Sequence, residues 1–147
     1  MKHVSILFRS KCWNVFLLLC IALPSLAQKE FKIDQVSVVN VGDGRFLYRD
    51  LMTEKPLNGE HRIIDGYHSA YILASFKDGF YDGKYEEHLD NILINEGVYK
   101  DGRKNGLFKI YSKFDGKLKE EKSYKEGKLN GTSKTFFTDG KIESEKN

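Results

Sequence analysis

A histidine pair, two adjacent glutamate pairs and a row of aromatics among lysines are the groups in this chain with the types and spacing for chemistry. His61 and His68 flank Asp65-Gly66. If that dipeptide is a two-residue hairpin turn, His68 pairs with Ile63 and His61 lies diagonally on the same face. Diagonal neighbours approach to about 7 Å, within reach of a shared metal. A metal site needs more ligands than two, and Glu60 points to the opposite face. The expectation is therefore surface histidines, His88 included, and no metal. Glu86-Glu87 and Glu120-Glu121 suggest acid–base hydrolysis, but adjacent strand residues face opposite sides, so neither pair acts on one bond. No phosphate loop, nucleophile triad or dinucleotide fingerprint is present. No catalytic residue and no cofactor are expected.

The aromatics are the better candidates. Tyr99, Phe108, Tyr111, Phe114 and Tyr124 lie in a lysine-rich stretch and form the expected partner-binding face. Aromatic rings among lysines suit an acidic protein or an anionic lipid surface. The plainer alternative is a solvated sheet whose lysines guard its edges against aggregation, with Glu120, Glu121, Glu143 and Glu145 breaking up the charge. Gly79/Gly83, Gly102/Gly106 and Gly127/Gly131 have the spacing of a membrane-helix dimer motif, but their charged flanks make them turn glycines. Asn130-Gly131-Thr132 is a glycosylation sequon that matters only in a eukaryotic secretory host.

These residues must be positioned by the part of the chain beyond an export signal. Lys2, Arg9 and Lys11 precede the apolar run Val15–Leu23, which ends at Pro24-Ser25-Leu26-Ala27. The run is shorter than the ~20 residues of a membrane span, so residues 1–27 read as a cleaved signal peptide. An uncleaved anchor is one rival; a lipoprotein attached at Cys20 is the other, with Leu19 where lipidation needs a small residue. The whole chain of 147 residues has formal net charge +3, but residues 28–147 hold 21 basic and 21 acidic groups. Both cysteines, Cys12 and Cys20, belong to the signal. The exported part thus has no disulfide, thiol nucleophile or cysteine metal site. Export and neutrality argue against nucleic acid as a partner. The charge is split along the chain, net −4 over 28–100 and net +4 over 101–147.

Ten of the 13 glycines directly follow Asp or Asn, the pairs that supply positive φ in tight hairpin turns. Short segments rich in Phe, Tyr, Ile, Leu, Val and Thr run between them, so the fold is all-β. Gly59, Gly83, Gly106 and Gly131 are 24, 23 and 25 residues apart. Phe76-Lys77-Asp78-Gly79, Tyr99-Lys100-Asp101-Gly102 and Tyr124-Lys125-Glu126-Gly127 precede the last three. Such a period marks a repeat array in which neighbours bury what one unit cannot. About four units of 23–25 residues fill 51–147, and residues 28–50 read as a leading β-hairpin that caps the first edge.

In the third unit, a two-residue tip at Asp115-Gly116 pairs Leu107 with Tyr124, Tyr111 with Glu120 and Phe114 with Lys117. Phe108 and Tyr124 then fall on opposite faces. Each face mixes apolar and charged side chains, which predicts an elongated, single-layer, twisted antiparallel sheet wetted on both sides. The tip glycines Gly116 and Gly140 are 24 apart against 25 for Gly106 and Gly131, so either Phe136 or Phe137 stands where Tyr111 does. A bulge absorbs such a difference.

Tyr99-Lys100-Asp101-Gly102-Arg103-Lys104-Asn105-Gly106-Leu107-Phe108-Lys109-Ile110-Tyr111 and Phe114-Asp115-Gly116-Lys117-Leu118-Lys119-Glu120-Glu121 closely resemble the bacterial variant of the MORN repeat. Tyr48 with Lys55-Pro56-Leu57-Asn58-Gly59 resembles the opening of such proteins. The likeness covers roughly 45–147; the unit Tyr85–Asn95 departs from it in having no Asp-Gly tip. The resemblance implies successive hairpins in an elongated twisted sheet, binding to protein or lipid, an antitoxin-like label for many secreted relatives, and no catalytic residues. The resulting expectation is an exported, non-enzymatic protein-binding or scaffold module, periplasmic, outer-membrane-associated or extracellular. Peripheral binding of an anionic membrane through the basic C-terminal repeats comes second. An envelope hydrolase comes third.

Overall fold

A computed structural model describes residues 29–147; the export segment read at 1–27 lies outside the described residues. The strands are β1 (Lys29–Lys32), β2 (Val36–Asn40), β3 (Phe46–Asp50), β4 (Gly59–Asp65), β5 (Ala70–Lys77) and β6 (Phe80–Leu89). They continue with β7 (Ile92–Lys100), β8 (Arg103–Lys104), β9 (Gly106–Tyr111), β10 (Leu118–Lys125), β11 (Lys128–Phe136) and β12 (Ile142–Lys146). Ten of them form one large sheet in the order β1-β4-β5-β6-β7-β9-β10-β11-β12, with β8 also on β7; β2 and β3 form a separate hairpin. Among the described residues no helix is long and apolar enough to cross a membrane.

From β4 onward successive strands pair antiparallel, β8 and β9 both on β7, and the turns explain why. Asp78-Gly79, Asp101-Gly102 and Glu126-Gly127 have φ of 50/83°, 48/76° and 52/82°. Positive φ at both central residues is the two-residue turn that matches strand twist. The connections between one hairpin repeat and the next are therefore tight turns themselves, and the array is a continuous meander. The second unit closes without glycine: Asp90 and Asn91 take φ of 50° and 64°, as short side chains that hydrogen-bond locally can.

Register differs from expectation in the third unit. Its tip spans 112–117, with the Ser112 amide donating to the Lys117 carbonyl at 2.8 Å and the Gly116 amide to the Ser112 carbonyl at 2.9 Å. Leu107 consequently pairs with Ser123, Phe108 with Lys122, Tyr111 with Leu118 and Tyr124 with Gly106, with a bulge between Leu118 and Glu120. Slips and bulges redirect side chains between faces. Phe108 and Tyr124 end on one face, their ring centroids 5.4 Å apart. A further shift lies between Thr135 and Phe136; Phe136 pairs with Ile142 at the end of β11 and is the counterpart of Tyr111.

The N-terminal part is also arranged otherwise than expected. The first edge of the array is covered by β1, which runs parallel to β4 with Phe31 beside Ile63, so the sheet is not wholly antiparallel. The hairpin β2–β3 instead lies over a sheet face. The Tyr48 amide donates to the Gly79 carbonyl at 2.7 Å, the Gly79 amide to Leu57 at 2.9 Å and the Leu57 amide to Tyr48 at 3.1 Å. The Tyr48 ring packs on Phe76 and Tyr81 at 5.3 and 4.7 Å.

That face is not wetted like the other. Phe31, Leu57, Ile63, Phe76, Tyr81, Tyr85 and Phe108 are buried there, with Val36 from the hairpin. Each such large side chain stabilises the fold by about 1.5–3 kcal/mol relative to exposure. The overlying hairpin supplies a second layer over the N-terminal repeats, so the expected bare single layer holds only for the rest.

Candidate functional site

The aromatic residues sit at fixed offsets from the turn glycines. Three residues before Gly79, Gly102 and Gly127 stand Phe76, Tyr99 and Tyr124; two residues after Gly59, Gly83 and Gly106 stand His61, Tyr85 and Phe108. Strand pairing brings these positions into one ladder across the sheet. Centroid spacings are 4.9 Å from Phe76 to Tyr81, 5.2 Å from Tyr81 to Tyr85 and from Tyr85 to Tyr99, and 5.3 Å from Tyr99 to Phe108. Neighbouring rings meet edge to face or tilted, the arrangement aromatic quadrupoles prefer.

Between the ladder and the β2–β3 hairpin lies an open groove of about 800 Å³. Phe46 and Tyr48 line one side, Tyr81, Tyr85 and Tyr99 the floor, and Arg103, Lys104, Glu126 and Lys128 the far side. Asp43 holds the hairpin tip: its carboxylate takes Arg45 and Arg103, each at 2.8 Å, and the Arg45 hydrogen bond holds its pKa below the usual range. Arg45 lies over the Phe80 ring at 4.8 Å.

Burial pushes the tyrosine hydroxyls up: Tyr99 to about 12, Tyr85 and Tyr81 further. They remain protonated at neutral pH and are available as donors and acceptors. The Tyr85 hydroxyl donates to Glu87 at 3.2 Å. Lys104 is the exception in the ladder. Its ammonium sits 4.8 Å from the Phe108 centroid and 5.2 Å from that of Tyr124. Burial, and then repulsion from Lys122, pull its pKa down.

Of the five residues expected to form one binding face, the structure brings Tyr99, Phe108 and Tyr124 together on the ladder. Tyr111 lies on the opposite face, its hydroxyl donating to Glu96 at 2.7 Å. Phe114 stands at a hairpin tip, 84% exposed. Tyr48, Tyr81, Tyr85, Arg103 and Lys104 were not among the expected site residues. The offset from the turn glycines was the available signal for Tyr85 and for the position of Lys104; nothing local marks Tyr48, which reaches the site only through the docked hairpin.

The histidine pair does not form. The turn between β4 and β5 spans 66–69, not two residues, and His68 is an exposed side chain paired with Asp65 at 2.7 Å. His61 is buried, edge-on to Phe31 at 5.4 Å and tilted against Phe76 at 5.8 Å. His88 stacks on Tyr71 at 4.4 Å. No group of three metal-ligating side chains occurs among the described residues. Glu86 is bound by Lys84 at 2.6 Å and by His88 at 3.3 Å, and the Lys84 hydrogen bond holds its pKa down, the reverse of what a general acid needs. Glu120 pairs with Lys122.

No protein-family model matches the chain, and no curated protein matches it in sequence. Among solved structures, the crystal structure of TarM overlaps with a TM-score of 0.39 at 14% identity, covering 69% of this chain and 19% of that one. A mutant of S. aureus TarM in complex with fondaparinux, alpha-GlcNAc-glycerol and UDP gives a TM-score of 0.41 at 14% identity, over 74% of this chain and 21% of that one. The chain spans about a fifth of the length of these proteins, and so partial a likeness carries no argument about what it does.

Proposed function

We propose that this chain is an exported, non-enzymatic binding module of the MORN-variant type, which holds a protein partner in the bacterial envelope. The observation that carries this reading is the groove between the β2–β3 hairpin and the tyrosine ladder. It is concave, floored by tyrosines with polar tips and edged by charged side chains, three of them cationic against the acidic Asp43 and Glu126, the composition from which protein-recognition sites are built. One carboxylate of each glutamate pair that would serve a hydrolase is instead bound by lysine or histidine, Glu86 by Lys84 and His88 and Glu120 by Lys122.

The test is crosslinked pull-down of the protein from its native envelope, beside Phe46→Asp. Phe46 lines the groove and is 47% exposed, so a charge there blocks the site without emptying the core. A partner captured by the wild type and lost with the folded variant supports the reading. Equal capture by both sinks it.

A second reading, peripheral binding to an anionic membrane, is favoured by the tips of the last two hairpins. Phe114 and Phe137 are 84% and 52% exposed there, and Lys113 lies 5.2 Å from the Phe114 centroid. Lys117 ties the two tips together through the Thr138 carbonyl at 2.8 Å. Exposed aromatics beside lysines suit the boundary between headgroups and acyl chains.

A further inference from the structure

Lys104 breaks the pattern of the ladder. It stands two residues after the turn glycine Gly102, where the preceding repeat has Tyr81 after Gly79 and the following one Leu129 after Gly127. The strand pairing is the same in each case: Phe76 faces Tyr81, Tyr99 faces Lys104 and Tyr124 faces Leu129. One repeat thus places an ammonium where its neighbours place apolar or aromatic side chains. Half-buried charge is costly unless something opposite compensates it.

The chain supplies little compensation. Lys104 makes no ion pair among the described residues, and its cationic neighbour Lys122 repels it. Glu87 is the carboxylate whose field reaches it, and Glu87 already accepts the Tyr85 hydroxyl. The Phe108 and Tyr124 rings face its charge, but rings accept no strong hydrogen bond. Arg103 lies next to it on the groove side, with one guanidinium nitrogen committed to Asp43.

We infer that Lys104 is the anion anchor of the groove and that its ligand is an extended acidic peptide segment, with a carboxylate seated on Lys104 beside Arg103 and its intervening side chains on the tyrosine floor. This rests on the groove being a binding site and names what it takes. Charge complementarity selects the anion, since charge-assisted hydrogen bonds are the strong ones in a partly dry site. Ring geometry selects peptide over sugar: Tyr85–Tyr99 and Tyr99–Phe108 are inclined at 63° and 87°, so there is no flat platform for pyranose rings to stack on. Placement selects peptide over membrane, because a half-buried ammonium in a groove beside the overlying hairpin does not reach a planar headgroup surface. Alternating side chains of an extended segment fit a groove with one charged and one aromatic wall.

The test is fluorescence-anisotropy titration of the full chain with a labelled octapeptide alternating Glu and Ile. Its partners are the same peptide with Gln for Glu, anionic phosphatidylglycerol vesicles, and a sulfated heparin oligosaccharide. The acidic peptide is expected to bind and the Gln peptide to bind at least tenfold more weakly. Lys104→Gln is expected to lower affinity at least tenfold, Lys104→Arg to retain it, and the exposed Lys146→Gln to leave it unchanged. Lys104→Met, which keeps an unbranched stem and removes the charge, serves if the Gln variant is unstable. Unchanged peptide affinity in the folded Gln or Met variant overturns the assignment, as does Lys104-dependent binding of vesicles or saccharide without binding of the peptide. If Phe46→Asp abolishes capture of an envelope protein while Lys104→Gln does not, the groove remains a binding site and the anion anchor falls.

Discussion

The ring of Phe108 lies directly against the backbone of Gly97: a Cβ at residue 97 would come within 2.6 Å of three of its carbons. Phe108 is the most deeply buried large side chain among the described residues, 2% exposed, and it links the β6–β7 hairpin to the basic repeats. Gly97→Ala is expected to destabilise the fold by about 1–3 kcal/mol through overpacking, and Phe108→Ala by about 3–5 kcal/mol through the cavity it leaves. Because the same space is contested, Gly97→Ala combined with Phe108→Ala should cost less than the sum of the two. Urea denaturation of the wild type, the two single variants and the double variant measures that coupling; strict additivity contradicts the contact.

Gly79 does for the hairpin what Gly97 does for the ladder. It takes φ of +83°, and a Cβ there would lie 2.8 Å from the Tyr48 carbonyl oxygen. Gly79→Ala should therefore strain the turn and lift β3 from the sheet, at about 1–3 kcal/mol. Hydrogen exchange at the Tyr48 and Leu57 amides should accelerate well before exchange in β6 and β7. Uniform acceleration across the sheet would instead mean that the hairpin does not open separately.

Alkaline pH should loosen the same region. The unfolded chain ionises its tyrosines near pH 10, whereas burial raises Tyr99 to about 12 and Tyr81 and Tyr85 beyond it. Between those values the unfolded state binds fewer protons than the folded one, so stability falls as pH rises. It is fully present below about pH 10. Tyrosinate absorbance followed with circular dichroism should show these groups ionising together with unfolding; their ionisation near pH 10 in an intact fold contradicts the buried ladder.

The hairpin tips bear on the membrane reading alone. Phe114→Ser and Phe137→Ser remove exposed rings and should change stability by less than about 0.5 kcal/mol. If the tips contact lipid, the paired variant should fail to float with anionic vesicles at low salt, where the wild type floats. A wild type that does not float at low or high salt removes the lipid reading.

Much of the meander was legible because Asp-Gly and Asn-Gly punctuate it, and the spacing of Gly59, Gly83, Gly106 and Gly131 sets its period. The Asp90-Asn91 turn escaped because no glycine marks it. Register was less legible: one longer tip at 112–117 and one bulge before Glu120 move Tyr124 to the face of Phe108. Three of the five expected binding residues share the ladder for that reason, while Tyr111 does not. The docking of Tyr48 onto Phe76 and Tyr81 depends on residues 28 and 33 positions away in the chain, and no local pattern encodes it.

Position-resolved photo-crosslinking tests the proposed binding groove most directly. A photoreactive residue at Phe46 would sit in the groove, and one at Val98 on the opposite face; the two are 47% exposed alike. In the native envelope, a binding groove predicts a discrete crosslinked polypeptide from position 46, competed by the acidic octapeptide, and none from position 98. The same product from both positions, or a product from 98 alone, contradicts it.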